Sequence, residues 1–166
     1  MRIISFVAAA SNSGKTTLIE KIVRILKTRG LRVGVFKHAP GGFDLDQRGK
    51  DSWRFQQAGA DAVLLVGPGN MALMRAIDRV PSLEELEQCA GDADFVLCEG
   101  FKETSMNRIE VFRKGVSGER PLCFDDPSYL ALVSDTRYDV SIPLFDINDA
   151  EAVAVFMLTL GAQRSA

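Results

Sequence analysis

Residues 3–9 form a short apolar run of the kind carried by a strand buried on both faces. The period then changes. Leu18, Ile19, Ile22, Val23, Ile25 and Leu26 paint one face of a helix expected over residues 16–29, and Gly30 stands where a C-terminal cap belongs. Leu31, Val33 and Val35 alternate with Arg32 and Gly34, which predicts a strand over residues 31–36. Strand, helix and strand thus occupy the length of one βαβ unit.

Farther along, residues 51–60 read as a short helix and residues 62–66 as a buried strand. Gly67-Pro68-Gly69-Asn70 is a turn, followed by a strand over residues 71–77. Ser82-Leu83-Glu84-Glu85 is a capping box that opens a helix running to about Ala90. Residues 94–98 form a strand with Glu99 immediately behind it, and residues 108–112 and 130–133 are further strands. Residues 115–127, rich in Gly and Pro, read as a surface loop. Asn148 and Asp149 supply the cap of a last helix over residues 149–160. Helices alternating with strands predict an α/β fold with a mostly parallel central sheet flanked by helices, and mixed strands in the middle of the chain. With 166 residues and no internal repeat, the expectation is a single domain over residues 1–166.

Composition narrows the function. Hydrophobic residues make up 46% and charged residues 25%, as in a folded globular protein. A net charge of −2 argues against a nucleic-acid partner, which would demand a basic surface. No apolar stretch approaches the roughly 20 residues of a membrane span. The first apolar run leads into Ser11-Asn12-Ser13-Gly14-Lys15 and not into a cleavage site, so no signal peptide is expected. Cys89, Cys98 and Cys123 form no CxxC pair, and His38 is the single histidine, so neither a disulfide framework nor a zinc centre is indicated. The expected setting is cytoplasmic.

The strongest chemical signal lies between the first strand and the first helix. Ala9-Ala10-Ser11-Asn12-Ser13-Gly14-Lys15-Thr16 has every element of the phosphate loop Gly-x-x-x-x-Gly-Lys-Ser/Thr except the first glycine, which is Ala9. Backbone N–H groups of Asn12, Ser13, Gly14, Lys15, Thr16 and Thr17 would curl around the β-phosphate, helped by the helix dipole. Lys15 would bridge the β- and γ-phosphates, and the Thr16 hydroxyl would ligate Mg²⁺. Asn12 suits a left-handed conformation. A chance Gly-Lys-Thr at a helix start is the bland reading; its place between a buried strand and an amphipathic helix favours a nucleotide site.

Mg²⁺ needs further oxygen ligands. Glu99, at the end of an apolar strand, is one candidate. Asp44 and Asp46, after the second strand, are the others, and also the candidate catalytic carboxylates. Solvated surface carboxylates are the alternative for all three. His38 reads as a structural hydrogen-bonder and Cys98 as core. Trp53 and Phe55 read as packing or a subunit contact. Ser134-Asp135 follows a strand, and Asp135 could accept from guanine N1–H and N2–H₂ or simply close the turn. Arg48 lies near the switch-like loop.

The phosphate loop is followed in order by Lys37-His38, Asp44-Leu45-Asp46, Gly49-Lys50-Asp51-Ser52, Ala58-Gly59-Ala60, Glu99-Gly100-Phe101-Lys102, Ile109-Glu110-Val111-Phe112-Arg113, Val133-Ser134-Asp135 and Asp146-Ile147-Asn148-Asp149. Together these motifs resemble the molybdopterin-guanine dinucleotide biosynthesis adaptor (MobB) family, over residues 3–156. The resemblance implies a P-loop GTP-binding protein related to signal-recognition and metal-insertion GTPases, with GTP and Mg²⁺ as cofactors and slow hydrolysis. It also implies a homodimer, and a partnership with the guanylyltransferase that attaches GMP to molybdopterin. Two positions depart from the pattern: Asn12 replaces a glycine of the loop, and Ala39-Pro40-Gly41-Gly42 replaces a His-rich stretch.

Two other readings compete with a GTP-binding adaptor. A small-molecule kinase would use the same loop, with Asp44 or Asp46 as base toward an acceptor; it would also need an Arg-bearing lid, and no Arg-rich segment is evident. A degenerate loop that binds anions without turnover is the third. Apolar faces at residues 71–77 and 109–112 call for covering, which also points to a homodimer.

Overall fold

The computed structural model describes residues 1–44, 46–102 and 106–161. Two compact units are present: Met1–His38 together with the chain from Ser82 onward, and Ala39–Pro81.

The first unit is built on six strands, β1 (Arg2–Val7), β2 (Val33–Lys37), β5 (Phe95–Glu99), β6 (Asn107–Phe112), β7 (Tyr129–Ser134) and β8 (Leu144–Asp146), in the order β2-β5-β1-β6-β7-β8. All neighbouring pairs are parallel. The strands therefore share one carboxyl edge, and the direction of winding reverses around β1, where the crevice of an open α/β sheet forms.

Burial of both faces explains the apolar runs. In β1, Ile4 and Phe6 join one core cluster with Phe95 and Leu97 of β5. Ile3 points the other way and meets Val96 and Cys98. This is the period-two alternation of a strand. Helix α1 (Lys15–Thr28) covers the first face with Leu18, Ile19, Ile22 and Leu26, beside α4 (Ala150–Thr159) with Val153, Ala154 and Met157. Each of the larger side chains, leucine, isoleucine, valine or methionine, contributes about 2 kcal/mol when removed from water. Helix α3 (Leu83–Cys89) covers the second face through Leu86.

The helix ends follow from local sequence. At the end of α1, Gly30 N–H donates to Lys27 O and Leu31 N–H to Leu26 O, with Gly30 at φ 76°. This is a Schellman cap, and its left-handed residue favours glycine. Ser82 and Glu85 form the reciprocal capping box of α3, and Asp149 caps α4.

The second unit holds α2 (Asp51–Gln57) and an antiparallel hairpin of β3 (Ala62–Val66) and β4 (Met71–Arg75). Gly67 N–H donates to Asn70 O to close the turn. Two expectations are corrected here. Residues 62–66 are not a buried strand: only Val63 is buried, while Leu64, Leu65, Val66 and Leu73 are exposed. Helix α2 packs against β3. Conversely, residues 109–112 need no outside cover, because β6 runs between β1 and β7 and Ile109, Val111 and Phe112 are fully buried. Strand β8 has no counterpart among the expected elements, and the expected loop contains a 3-10 turn, Leu122–Phe124. Its first two N–H groups donate to the buried Glu110 carboxylate at 2.8 and 2.9 Å.

Candidate functional site

The turn from β1 into α1 is held by two left-handed residues. Asn12 has φ 59°, and Gly14, at the helix N-cap, has φ 95°. The left-handed conformation favours glycine there, and a Cβ on Gly14 would stand 3.2 Å from Ile147 Cδ1, displacing that methyl by a few tenths of an ångström. Ser13 is fully buried beneath the turn. Lys15 Nζ folds back over the loop and donates to Ala10 O at 3.2 Å and to Ser13 Oγ at 3.1 Å. Ala9 is not among the residues with positive φ, so its methyl is tolerated where the loop pattern has glycine. Thr16 and Thr17 are exposed on the first turn of α1, where the free N–H groups of a helix start cluster.

Glu99 closes β5, next to β1, and its carboxylate reaches Thr16. Thr16 Oγ1 donates to Oε1 and Oε2, each at 3.0 Å. Lys37 Nζ, from the end of β2, lies 3.7 Å from Glu99 Oε2. Lys102 Nζ, just beyond β5, donates to Ala9 O at 3.4 Å. Burial lowers the Lys15 pKa below its usual value; Glu99 raises it, and the charges of Lys102 and Lys37 lower it further. Three ammonium groups and one carboxylate therefore share this edge of the sheet. A hydroxyl and a carboxylate at one point are the hard oxygen donors that Mg²⁺ takes, and the surplus of lysines suits a polyphosphate. The residues present fit both groups.

The other predicted residues fall elsewhere. Asp135, after β7, accepts from Lys114 N–H at 2.9 Å and from Thr136 Oγ1 at 3.3 Å, and its Oδ2 lies 4.0 Å from Arg113 Nε. Asp44 and Asp46 belong to the second unit. There Asp46 Oδ1 accepts from Gln47 N–H at 2.8 Å, while Oδ2 is shielded from solvent with no partner among the described residues. Leu45 of the same motif lies outside the described residues. Arg48 stacks over the Trp53 ring at 5.8 Å, and Phe55 is exposed. Cys98 is core. The His38 backbone N–H donates to Glu99 O, and its ring lies 5.2 Å from that of Phe101.

Lys37 and Lys102 were given no role by the sequence. Lys37 ends β2 and Lys102 lies three residues beyond β5, both at the edge carrying the loop, and strand order, which decides this, is invisible in the linear chain.

Residues 3–135 match the family MobB, molybdopterin guanine dinucleotide synthesis protein B. The molybdopterin-guanine dinucleotide biosynthesis adapter protein of Escherichia coli is 36% identical over 159 residues, covering 91% of this chain and 89% of its own. That of Haemophilus influenzae is 36% identical over 149 residues, covering 89% and 83%. Among solved structures, a molybdopterin-guanine biosynthesis protein B superposes with a TM-score of 0.71 at 31% identity over 95% of this chain and 98% of the other. Bacillus subtilis MobB superposes with a TM-score of 0.74 at 26% identity over 98% of this chain and 100% of the other. With the family match spanning most of the sequence and the relatives aligning nearly end to end, the chain belongs to the MobB family.

Proposed function

We propose that this chain is a GTP-binding adaptor in the biosynthesis of molybdopterin guanine dinucleotide, working in the cytoplasm beside the guanylyltransferase that attaches GMP to molybdopterin. The adapter role is the one its relatives carry in their names. The observation that carries the nucleotide reading is the meeting of Thr16 and Glu99 at the mouth of a loop whose Lys15 folds across it. Asn12, Ser13, Gly14, Lys15, Thr16 and Thr17 would cradle the phosphates, and Thr16 and Glu99 would hold Mg²⁺. The metal's part is to neutralise charge on the phosphates.

Asp135 is proposed to read the guanine edge from the same carboxyl side, its Oδ2 being the less engaged oxygen.

The homodimer is proposed through the hairpin. Leu64 pairs with Leu73 and Val66 with Met71 on one face, and all four are exposed. An isolated two-stranded ribbon is marginal in water unless a partner covers it.

Titration of GTP and ATP with Mg²⁺, followed by phosphate-release assays, tests the reading. Preference for GTP with slow release supports the adaptor. Fast transfer of phosphate to a small metabolite would install the kinase in its place.

A further inference from the structure

The segment that follows Glu99 is held in an unusual backbone conformation, and it delivers a lysine to the phosphate loop. Gly100 has φ 95° and Phe101 has φ 59°, two left-handed residues in succession. For a bulky side chain such a conformation costs about 1–2 kcal/mol and persists only where the surroundings enforce it. Here they do. Gly100 N–H donates to Phe6 O at 3.1 Å, and the Ser5 hydroxyl donates to Gly100 O. A Cβ on Gly100 would press to 3.2 Å from His38 Cβ. The Phe101 side chain is buried in the cluster of Leu86, Val96 and Cys98. The next residue, Lys102, is exposed and reaches back to Ala9 O, at the entrance of the loop.

Resting on the nucleotide reading above, we propose that Lys102 is a ligand of the terminal phosphate. It exchanges the Ala9 carbonyl for a phosphate oxygen, while Lys37 adds a second charge beside Glu99. A neutral carbonyl at 3.4 Å is a weak partner for an ammonium, and a phosphate oxygen is a far stronger one. The charge balance points the same way. Lys102 and Lys37 both bear on the half-buried Lys15 by like-charge repulsion, and Glu99 offsets only part of it. A triphosphate with its Mg²⁺ brings enough negative charge, with Glu99, to neutralise all three lysines; a diphosphate falls short by one. The site therefore distinguishes triphosphate from diphosphate with side chains of its own, through a lysine positioned by the strained turn.

Calorimetric titration of the full chain with GTP·Mg²⁺ and with GDP·Mg²⁺ tests this, using the wild type, Lys102→Gln, Lys102→Arg and Lys15→Ala. Loss of one charged hydrogen bond predicts that Lys102→Gln weakens GTP about tenfold and GDP about threefold or less, with Lys102→Arg restoring most of the difference. The thermal midpoint of Lys102→Gln stays at the wild-type value, because the side chain is exposed. Unchanged affinities in Lys102→Gln, or equal losses for GTP and GDP, would overturn the assignment while Lys15→Ala, by losing binding, leaves the nucleotide site standing. A wild type that binds neither nucleotide would remove the site and the proposal together.

Discussion

Thr16 Oγ1 stands 3.0 Å from both carboxylate oxygens of Glu99, joining the first turn of α1 to the end of β5 across 83 positions of sequence. The contact exists because β1 and β5 are adjacent and parallel, with Phe6 paired to Glu99. The loop that leaves β1 and the carboxylate that ends β5 thus emerge side by side. Lys37 takes its place by the same logic, since β2 pairs with β5 on the other side and sets Lys37 opposite Glu99.

Lys15 should make nucleotide affinity sensitive to alkaline pH. Burial lowers its pKa in the free protein, and an anionic phosphate would raise it. Binding is then accompanied by proton uptake, and affinity falls as pH rises through the lowered pKa, in a window below 10.5. Stability of the free protein moves the opposite way. The native state sheds this proton before the unfolded chain does, so the contribution of Lys15 to stability rises over the same window. Calorimetry in buffers of differing ionisation heat reads the uptake. A Lys15→Arg variant with the same pH profile would show that another group titrates.

Glycine at position 14 answers two demands, and glycine at position 30 only one. Both have positive φ, but a Cβ at Gly30 meets nothing within 4 Å, whereas at Gly14 it meets Ile147. Gly30→Ala should cost about 1 kcal/mol, from conformation alone. Gly14→Ala should cost clearly more, with a midpoint drop of several degrees at roughly 2–4 °C per kcal/mol. Thermal melts of the two variants compare them directly. Equal drops would mean that Ile147 yields at no cost.

Thiol reactivity should separate the cysteines. Cys89 is exposed, whereas Cys98 is fully buried and burial pushes its pKa up to about 12. Alkylation near pH 8 should modify Cys89 and spare Cys98 until the protein unfolds. Above pH 9.0 the unfolded thiol loses its proton while the native one keeps it, so stability should fall as pH climbs from 9.0 toward about 12. Cys98 reacting as quickly as Cys89 in the native protein contradicts the packing around β5.

The apolar hairpin face should hold the dimer. Leu64→Asp or Leu73→Asp places a charge on the exposed face and should shift light-scattering mass toward the 18.2 kDa monomer without unfolding the first unit. A wild type at monomer mass across a dilution series, with and without GTP, would sink the dimer.

Much of this architecture is legible in the sequence because its elements carry strong periodic or capping signals. Helix α1 shows its buried stripe, and Ser82 and Glu85 announce α3. Strand β8, Leu144–Asp146 at the sheet edge, is too short to show a period in the sequence. Residues 62–66 differ from the buried strand their pattern predicts for a physical reason: an apolar run looks the same whether its own chain covers it or leaves it open. Glu99 could be singled out because a carboxylate directly after a buried run marks a strand's carboxyl end. Lys37 ends β2 and Lys102 follows β5 by three residues, yet lysine is common near strand ends, and only strand order shows that these two converge.

The central claim, a nucleotide site with its metal on Thr16 and Glu99, is tested most directly by the Mg²⁺ dependence of GTP binding. Titrations with Mg²⁺ and with chelator should show a strong metal requirement in the wild type. That requirement should shrink in Thr16→Ala and Glu99→Gln, with the double variant adding little because the two residues serve one ion. GTP binding that is the same with and without Mg²⁺, or a metal dependence that neither substitution alters, would contradict the account.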